Sequence, residues 1–284
     1  MKNENKKAFT LSDAEKENIV NDVIKAYAIK DYKGDGIIMN ANDVIAKIEK
    51  AMTDIMFNDG KKTNILQNGN GKIDDSVLCQ AIFPVFTCPC HCIGCYAVNA
   101  CTKKFNGIGK QTAEAWYKWM FIEKYYPDVY FMQIDRELEK SNSDECRWHV
   151  SGDFIDNADV EHCITTFKKF PNVKFYTYTK RDAERDNMPS LRILEAMENV
   201  NIADSLPGGM KNYGDDEYLE KLAKYLKEKY GVELYVCKCG TSVEKEFNKA
   251  HAKKNGGDGQ KYCGGKDGCK MCRNHKYIGF HIHK

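Results

Sequence analysis

The sequence predicts an α/β fold with a mostly parallel sheet, wound as a partial (β/α) barrel. Three observations lead there. From residue 80 onward, short β-branched and aromatic runs alternate with single amphipathic helices, and strands separated by one helix imply βαβ units with right-handed crossovers. About five such strands can be read, fewer than the eight of a closed barrel. Polar and thiol groups fall just after those strands, where parallel sheets place their ligands.

The elements follow in chain order. Residues 1–78 read as an N-terminal helical segment. Ser12 and Glu15 fit a capping box, with Ile19, Val20, Val23, Ile24 and Tyr27 along one face. A second helix begins near Asn42, striped by Val44, Ile45, Ile48, Met52, Ile55 and Met56. The intervening DYKGDG places Asp31 and Asp35 before Gly36, but Lys33 and Asn42 stand where calcium ligands are needed. It and NGNGKID therefore read as turns. Residues 79–236 form the barrel segment. AIFPVF is its first strand, Thr112 to Tyr125 a helix with Trp116, Trp119 and Met120 on one side, and Pro127 opens another. RWHVSGDF, VKFYTYTK, VNIADS and VELYVC are the later strands, with helices near Asp159 to Phe167, Ser190 to Glu198 and Asp215 to Tyr230 between them. Residues 237–284 are a Cys-rich tail.

Composition narrows the function. The 284 residues are 42% hydrophobic and 30% charged, and 43 Lys+Arg against 41 Asp+Glu leave a formal charge of +2. This is an ordinary globular balance without a dominant polyanion-binding surface. No apolar run approaches the roughly 18 residues of a membrane span, and the N-terminus has no apolar signal region. A cytoplasmic protein with no membrane partner is expected. The exception to this plainness is 13 cysteines, which in a reducing compartment point to metal or redox chemistry. Five lie within Cys88 to Cys101 and five within Cys237 to Cys272. Cys79, Cys146 and Cys163 stand apart and read as core thiols.

In TCPCHCIGCYA, Cys88, Cys92 and Cys95 have the spacing C-x3-C-x2-C. Three thiolates on one loop can hold three irons of a cubane cluster and leave the fourth open to a substrate or cofactor. Cys90 and Cys101 allow other sets, including a closed four-thiolate zinc or iron–sulfur site. The other candidate groups follow successive strands: Ser151, Gly152 and Asp153, then Thr179, Lys180 and Arg181, then Ser205. An Asp153 carboxylate could meet a cationic ammonium through a charge-assisted bond; as a plain loop residue it would cap the next helix.

The three-cysteine motif followed by Tyr96 resembles the radical S-adenosylmethionine (SAM) superfamily. HVSGDF, FYTYTKRDAER and NVNIADSLPGG resemble the phage Gp88-type family and, more loosely, Gp37/Gp68-type phage proteins. The likeness covers roughly Cys88 to Gly209 plus the tail. It implies a [4Fe-4S] cluster on Cys88, Cys92 and Cys95, and Tyr96 beside the SAM adenine. It puts Ser151-Gly152-Asp153 where the superfamily has a Gly-Gly-Glu block that meets the methionine amine, and this sequence departs from that block. Lys180 or Arg181 would answer the methionine carboxylate, with Thr179 and Ser205 also at the cofactor. The activity implied is reductive SAM cleavage followed by hydrogen abstraction from an unknown substrate. An electron donor such as a flavodoxin or ferredoxin would serve it in the host cytoplasm.

In the tail, Cys269-x2-Cys272 is a metal knuckle that Cys263 and either Cys237 or Cys239 complete. Zinc and a second [4Fe-4S] cluster use the same ligands. Residues 237–284 also carry 11 Lys/Arg against 4 Asp/Glu, a balance that suits nucleic acid as well as a solvated tail. The competing function is thus a non-catalytic, zinc- or iron–sulfur-stabilised phage protein that binds nucleic acid.

Overall fold

The computed structural model describes residues 7–28, 39–70, 73–88, 95, 97–98, 101, 108–181, 187–204, 216–231, 233–236, 242–263, 269 and 278–279. They fall into two compact units. One comprises Met1–Leu66, Ala81–Ser141 and Ser151–Thr166; the other comprises Gln67–Gln80, Asn142–Val150 and Phe167–Lys284.

The first unit is helical. Helix α1 (Asp13–Tyr27) starts at the expected capping box, in which the Ser12 hydroxyl and the Glu15 carboxylate each accept the other residue's backbone N–H. Its buried positions are Ile19, Val23 and Ala26. Ile24 and Tyr27 are exposed, so the packed face is narrower than the apolar stripe suggested. Helix α2 (Ala41–Phe57) is capped by Asn40 and buries Val44, Ile48, Met52 and Ile55 against α3 (Ile108–Tyr125). Within α3, Trp119 and Met120 are buried and Trp116 is half-buried. Pro127 occupies the first turn of α4 (Pro127–Lys140), where its missing N–H costs nothing.

Polar side chains of α4 hold the segment that leaves α2. Gln133 donates to the carbonyls of Gly60 and Thr63 at 3.2 and 2.7 Å. The Glu137 carboxylate accepts the N–H groups of Ile65 and Leu66 at 2.9 and 2.7 Å, and Arg136 donates to Ile55 O at 3.1 Å. Buried backbone groups with no ladder partner are thereby satisfied. Most of α5 (Asn157–Lys169) completes this unit.

The second unit carries a five-stranded sheet in the order β1-β2-β3-β4-β5. The strands are β1 (Gln67–Asn68), β2 (Leu78–Cys79), β3 (Glu145–Arg147), β4 (Lys174–Thr179) and β5 (Val200–Asp204). β1 runs antiparallel to β2, and the other neighbours are parallel, with Cys79 opposite Arg147, Arg147 opposite Tyr176 and Thr179 opposite Asp204. Helix α6 (Ser190–Glu195) precedes β5. Trp148 N–H donates to Tyr176 O at 2.9 Å, carrying the pairing one residue past β3. Phe167 stacks on Phe175 with centroids 3.7 Å apart and meets Trp148 edge-on. Asn199 Nδ2 donates to the carbonyls of Phe167, Phe170 and Val173 at 3.1, 3.2 and 3.3 Å, closing the turn into β4.

Three expected strands differ: of RWHVSGDF only Arg147 lies in a strand, which starts at Glu145, and the other two are AIFPVF and VELYVC. AIFPVF is not a strand: β2 ends at Cys79, Ile82 N–H donates to Ser151 O and Phe83 N–H to Trp116 O. Pro84, which has no N–H to give a ladder, starts a turn closed by Cys88 N–H on Pro84 O at 3.0 Å. VELYVC does not extend the main sheet. Only β6 (Tyr235–Val236) forms there, and it pairs in parallel with β7 (Ile278–Gly279) as a separate two-stranded sheet. Helices α7 (Asp216–Tyr230) and α8 (Ser242–Ala250) flank β6 in sequence. NGNGKID turns as expected, since Asn70 Oδ1 accepts Ile73 N–H and Asn70 N–H donates to Ile73 O; DYKGDG lies outside the described residues.

Candidate functional site

The residues singled out by sequence fall into three groups: a loop pair in the helical unit, the carboxyl edge of the sheet, and the tail. The loop pair is the best defined. Thr87, directly before the first motif cysteine, is buried, and its hydroxyl donates to Phe83 O at 3.1 Å while accepting Asp153 N–H at 3.2 Å. With Ile82 N–H on Ser151 O at 3.0 Å, two bonds tie the Ser151-Gly152-Asp153 loop to the segment that leads into Cys88. Gly152 has φ +91, and a Cβ there would come within 2.4 Å of Ile82 Cγ1 and 3.1 Å of Thr87 Oγ1. Only glycine fits both the backbone conformation and the approach.

Cys88 and Cys95 are half-buried thiols, while Cys101 is fully buried. Burial, with the Cys95 sulfur adding to it, pushes the Cys101 thiol up to about 12. Cys90, Cys92 and Tyr96 lie outside the described residues. Ser151 is buried, and its Oγ makes no hydrogen bond among the described residues. Asp153 is buried with Oδ1 accepting Phe154 N–H at 2.9 Å. It does not cap the following helix: Asp156 Oδ1 accepts Asp159 N–H, and Asp159 Oδ2 accepts Ile155 N–H, both at 2.9 Å.

Cys88 and Cys95 are partly accessible soft thiols, which suit iron or zinc. The orphaned Ser151 hydroxyl suits a bound polar group. Among the described residues, the Cys88 and Cys95 thiols have the chemistry to ligate a metal, and the Ser151 hydroxyl the chemistry to meet a polar group.

At the carboxyl edge of the sheet, Thr179 is buried and its Oγ1 accepts Arg181 N–H at 3.1 Å; Lys180 and Arg181 are half-buried. Sequence reasoning missed His149, which follows β3 at φ +50, an uncommon conformation for a non-glycine residue. Its N–H donates to Gln80 Oε1 at 2.9 Å, and the ring is buried. Burial first and the Arg181 guanidinium second bring its pKa down to about 3, so the imidazole is neutral at physiological pH. Ser205 lies outside the described residues.

In the tail, Cys237, Cys239 and Cys272 lie outside the described residues. Cys263 forms parallel bridges with Ile73 and with Cys269. Its carbonyl accepts Asp74 N–H at 2.8 Å, and Asp74 Oδ2 accepts Lys261 N–H at 2.9 Å. Cys263 packs in one apolar cluster with Ile73, Val77, Cys79, Tyr176 and Ala203. Cys79, Cys146 and Cys163 are all buried; burial raises the Cys79 thiol to about 11.

The model of the Gene product 88 family matches residues 47–275. The chain belongs to that family. Its match takes in every cysteine of the sequence, the loop pair and the whole sheet, and starts inside α2. No curated protein matches the chain, and no solved structure does. Among the described residues of this Gene product 88 member, no helix is long and apolar enough to cross a membrane.

Proposed function

We propose that this phage-type protein is a radical SAM-like iron–sulfur enzyme. Cys88, Cys92 and Cys95 hold a [4Fe-4S] cluster, and the Ser151-Gly152-Asp153 loop receives the SAM methionine end. The observation that carries the reading is the Thr87 hydroxyl bridge, which fastens the Ser-Gly-Asp loop to the residue preceding Cys88. Blocks 63 residues apart in sequence (Cys88 and Ser151) thereby belong to one structured loop pair. The chain-order winding of β2 to β5 supports a partial barrel.

When bound, the cluster and SAM together supply reductive cleavage and hydrogen abstraction. The chain's own residues bind and orient. Ser151 Oγ offers a donor and an acceptor, Gly152 lets the loop pack closely on Ile82 and Thr87, and the Asp153 carboxylate attracts an ammonium. Tyr96 would sit beside the adenine and Lys180 or Arg181 would answer the SAM carboxylate, with Thr179 and Ser205 also serving the cofactor. Cys263, Cys269 and Cys272, with Cys237 or Cys239, hold a second cluster or zinc. A flavodoxin- or ferredoxin-type protein supplies electrons; the substrate stays undefined.

The test is anaerobic purification, metal analysis, reconstitution with iron and sulfide, and assay for 5′-deoxyadenosine. Iron in excess of zinc and SAM cleavage abolished by Cys88→Ala/Cys92→Ala/Cys95→Ala support the reading. Colourless protein holding zinc alone, with salt-sensitive DNA or RNA binding, replaces it with the metal-stabilised binding module.

A further inference from the structure

Residues 261–263 of the tail lie along the turn between β1 and β2. Lys261 N–H donates to Asp74 Oδ2 at 2.9 Å, and Asp74 N–H donates to Cys263 O at 2.8 Å. Lys261 Nζ donates to Asn70 O at 2.6 Å and to Asp75 Oδ1 at 2.7 Å. Cys263 stands opposite Ile73 in parallel register. Lys261 and Asp74 are 187 residues apart in sequence, so this seam is a tertiary contact and not a local turn. On its other flank, Tyr262 N–H donates to Asn248 Oδ1 at 2.9 Å and the Tyr262 ring meets Phe247 edge-on, both partners belonging to α8.

The stretch so fixed seats two thiols side by side. Cys263 also pairs in parallel with Cys269, whose N–H donates to Tyr262 O at 2.6 Å. Paired residues of neighbouring strands lie about 4.8 Å apart with their side chains on one face. A tetrahedral zinc ion with sulfur bonds of about 2.3 Å holds its thiolates about 3.8 Å apart, a gap that two such neighbours close by choice of rotamer. A cubane gives each thiolate a different iron and so spreads them further. A single core thiol would account for the burial of Cys263 beside Ile73 and Val77. It does not account for a second, half-buried cysteine held opposite it.

Resting on the reading of the tail cysteines as a metal site, we propose that this site holds one structural zinc ion rather than a second cluster. Cys263 and Cys269 are adjacent ligands of that ion, and Asp74 and Lys261 are positioning residues that act through the Cys263 backbone. Metal binding to a site of this kind is also folding free energy. The seam orders Cys263 before the ion arrives, which leaves less to be ordered on binding; reciprocally, the bound ion strengthens the seam. Zinc has no redox chemistry, so the tail fastens the chain and takes no part in electron supply.

The experiment is metal analysis and zinc-chelator competition on the full chain carrying Cys88→Ala/Cys92→Ala/Cys95→Ala, purified anaerobically, so that the outcome is independent of the first cluster. About one zinc ion per chain is expected, and the cobalt-substituted chain should show the visible bands of a tetrahedral thiolate site. Cys269→Ser, at a half-buried position, should weaken zinc at least a hundredfold. Lys261→Met should weaken it at least fivefold and speed hydrogen exchange at the Asp74 amide, as removal of zinc should, whereas Lys261→Arg should keep affinity and exchange within twofold. Asp74→Ala is the second variant of the seam, with the same expected direction. Iron and sulfide in place of zinc overturns the proposal and leaves a tail metal site standing; metal content unaffected by Cys269→Ser overturns both. Zinc affinity unchanged in Lys261→Met and Asp74→Ala overturns the positioning role.

Discussion

Gly152→Ala is the sharpest perturbation of the loop pair. Alanine at φ +91 costs about 1–3 kcal/mol in backbone strain. Its methyl group would stand 2.4 Å from Ile82 Cγ1 and 3.1 Å from Thr87 Oγ1, an overpacking worth about 1–3 kcal/mol more. The expected loss is about 3–5 kcal/mol, a large part of the roughly 5–15 kcal/mol that holds a domain folded. Urea unfolding followed by tryptophan fluorescence should show the midpoint falling by about 1–2 M at a typical slope. The companion variant is Gly152→Ala/Ile82→Ala, in which the clashing side chain is removed. Because Ile82 is the nearest obstacle, the double variant should be more stable than the two single losses predict by over about 1 kcal/mol. A loss below about 1 kcal/mol for Gly152→Ala, or strict additivity in the pair, would refute the claim that this glycine is required by close approach.

Three further outcomes are expected. Burial first, then the charge of Asp159 and a hydrogen bond with it, raise the Glu123 carboxyl well above its usual range, against a smaller lowering by Tyr130. The folded chain therefore favours protonated Glu123, and stability is full below about pH 4 and falls as pH rises through the folded pKa. Glu123→Gln should raise the melting temperature at pH 7.5 and flatten its dependence between pH 5 and 8, as differential scanning calorimetry will show. Asn199→Ala strands three carbonyl acceptors at the turn into β4 and should cost about 1–3 kcal/mol in thermal unfolding. Ser12→Ala removes the cap of α1 and should cost about 1 kcal/mol, with faster hydrogen exchange at the Glu15 amide.

Local signals in the sequence located most helices and two parallel strands well. The Ser12 capping box, Pro127 in the first turn of α4, and the aromatic run of β4 all act over a few residues, which is the range a pattern can carry. Failures came where a distant partner decides. AIFPVF is apolar enough for a strand, but its N–H groups go to Ser151 and to α3. VELYVC has strand character, but its ladder partner lies 43 residues downstream at Ile278. Asp153 had the residue type of a helix cap, and the cap is Asp156. His149 gave no signal because its neutrality comes from burial and from Arg181, 32 residues away. The Ser-Gly-Asp block was legible as a motif; its tie to Thr87 was not.

The Thr87 hydroxyl has a consequence for motion in the chain. It gives its proton to Phe83 O and takes another from Asp153 N–H, so one hydroxyl braces its own turn and, beside the Ile82 N–H to Ser151 O bond, joins that turn to the carboxylate loop. Displacing Asp153 tugs on the turn that seats Cys88, and shifting that turn is felt at Asp153. A sulfur-bearing loop and a carboxylate loop coupled in this manner can swing as a pair. Valine, with the same outline but no proton to trade, would break this link and leave the Ile82 N–H to Ser151 O bond between them.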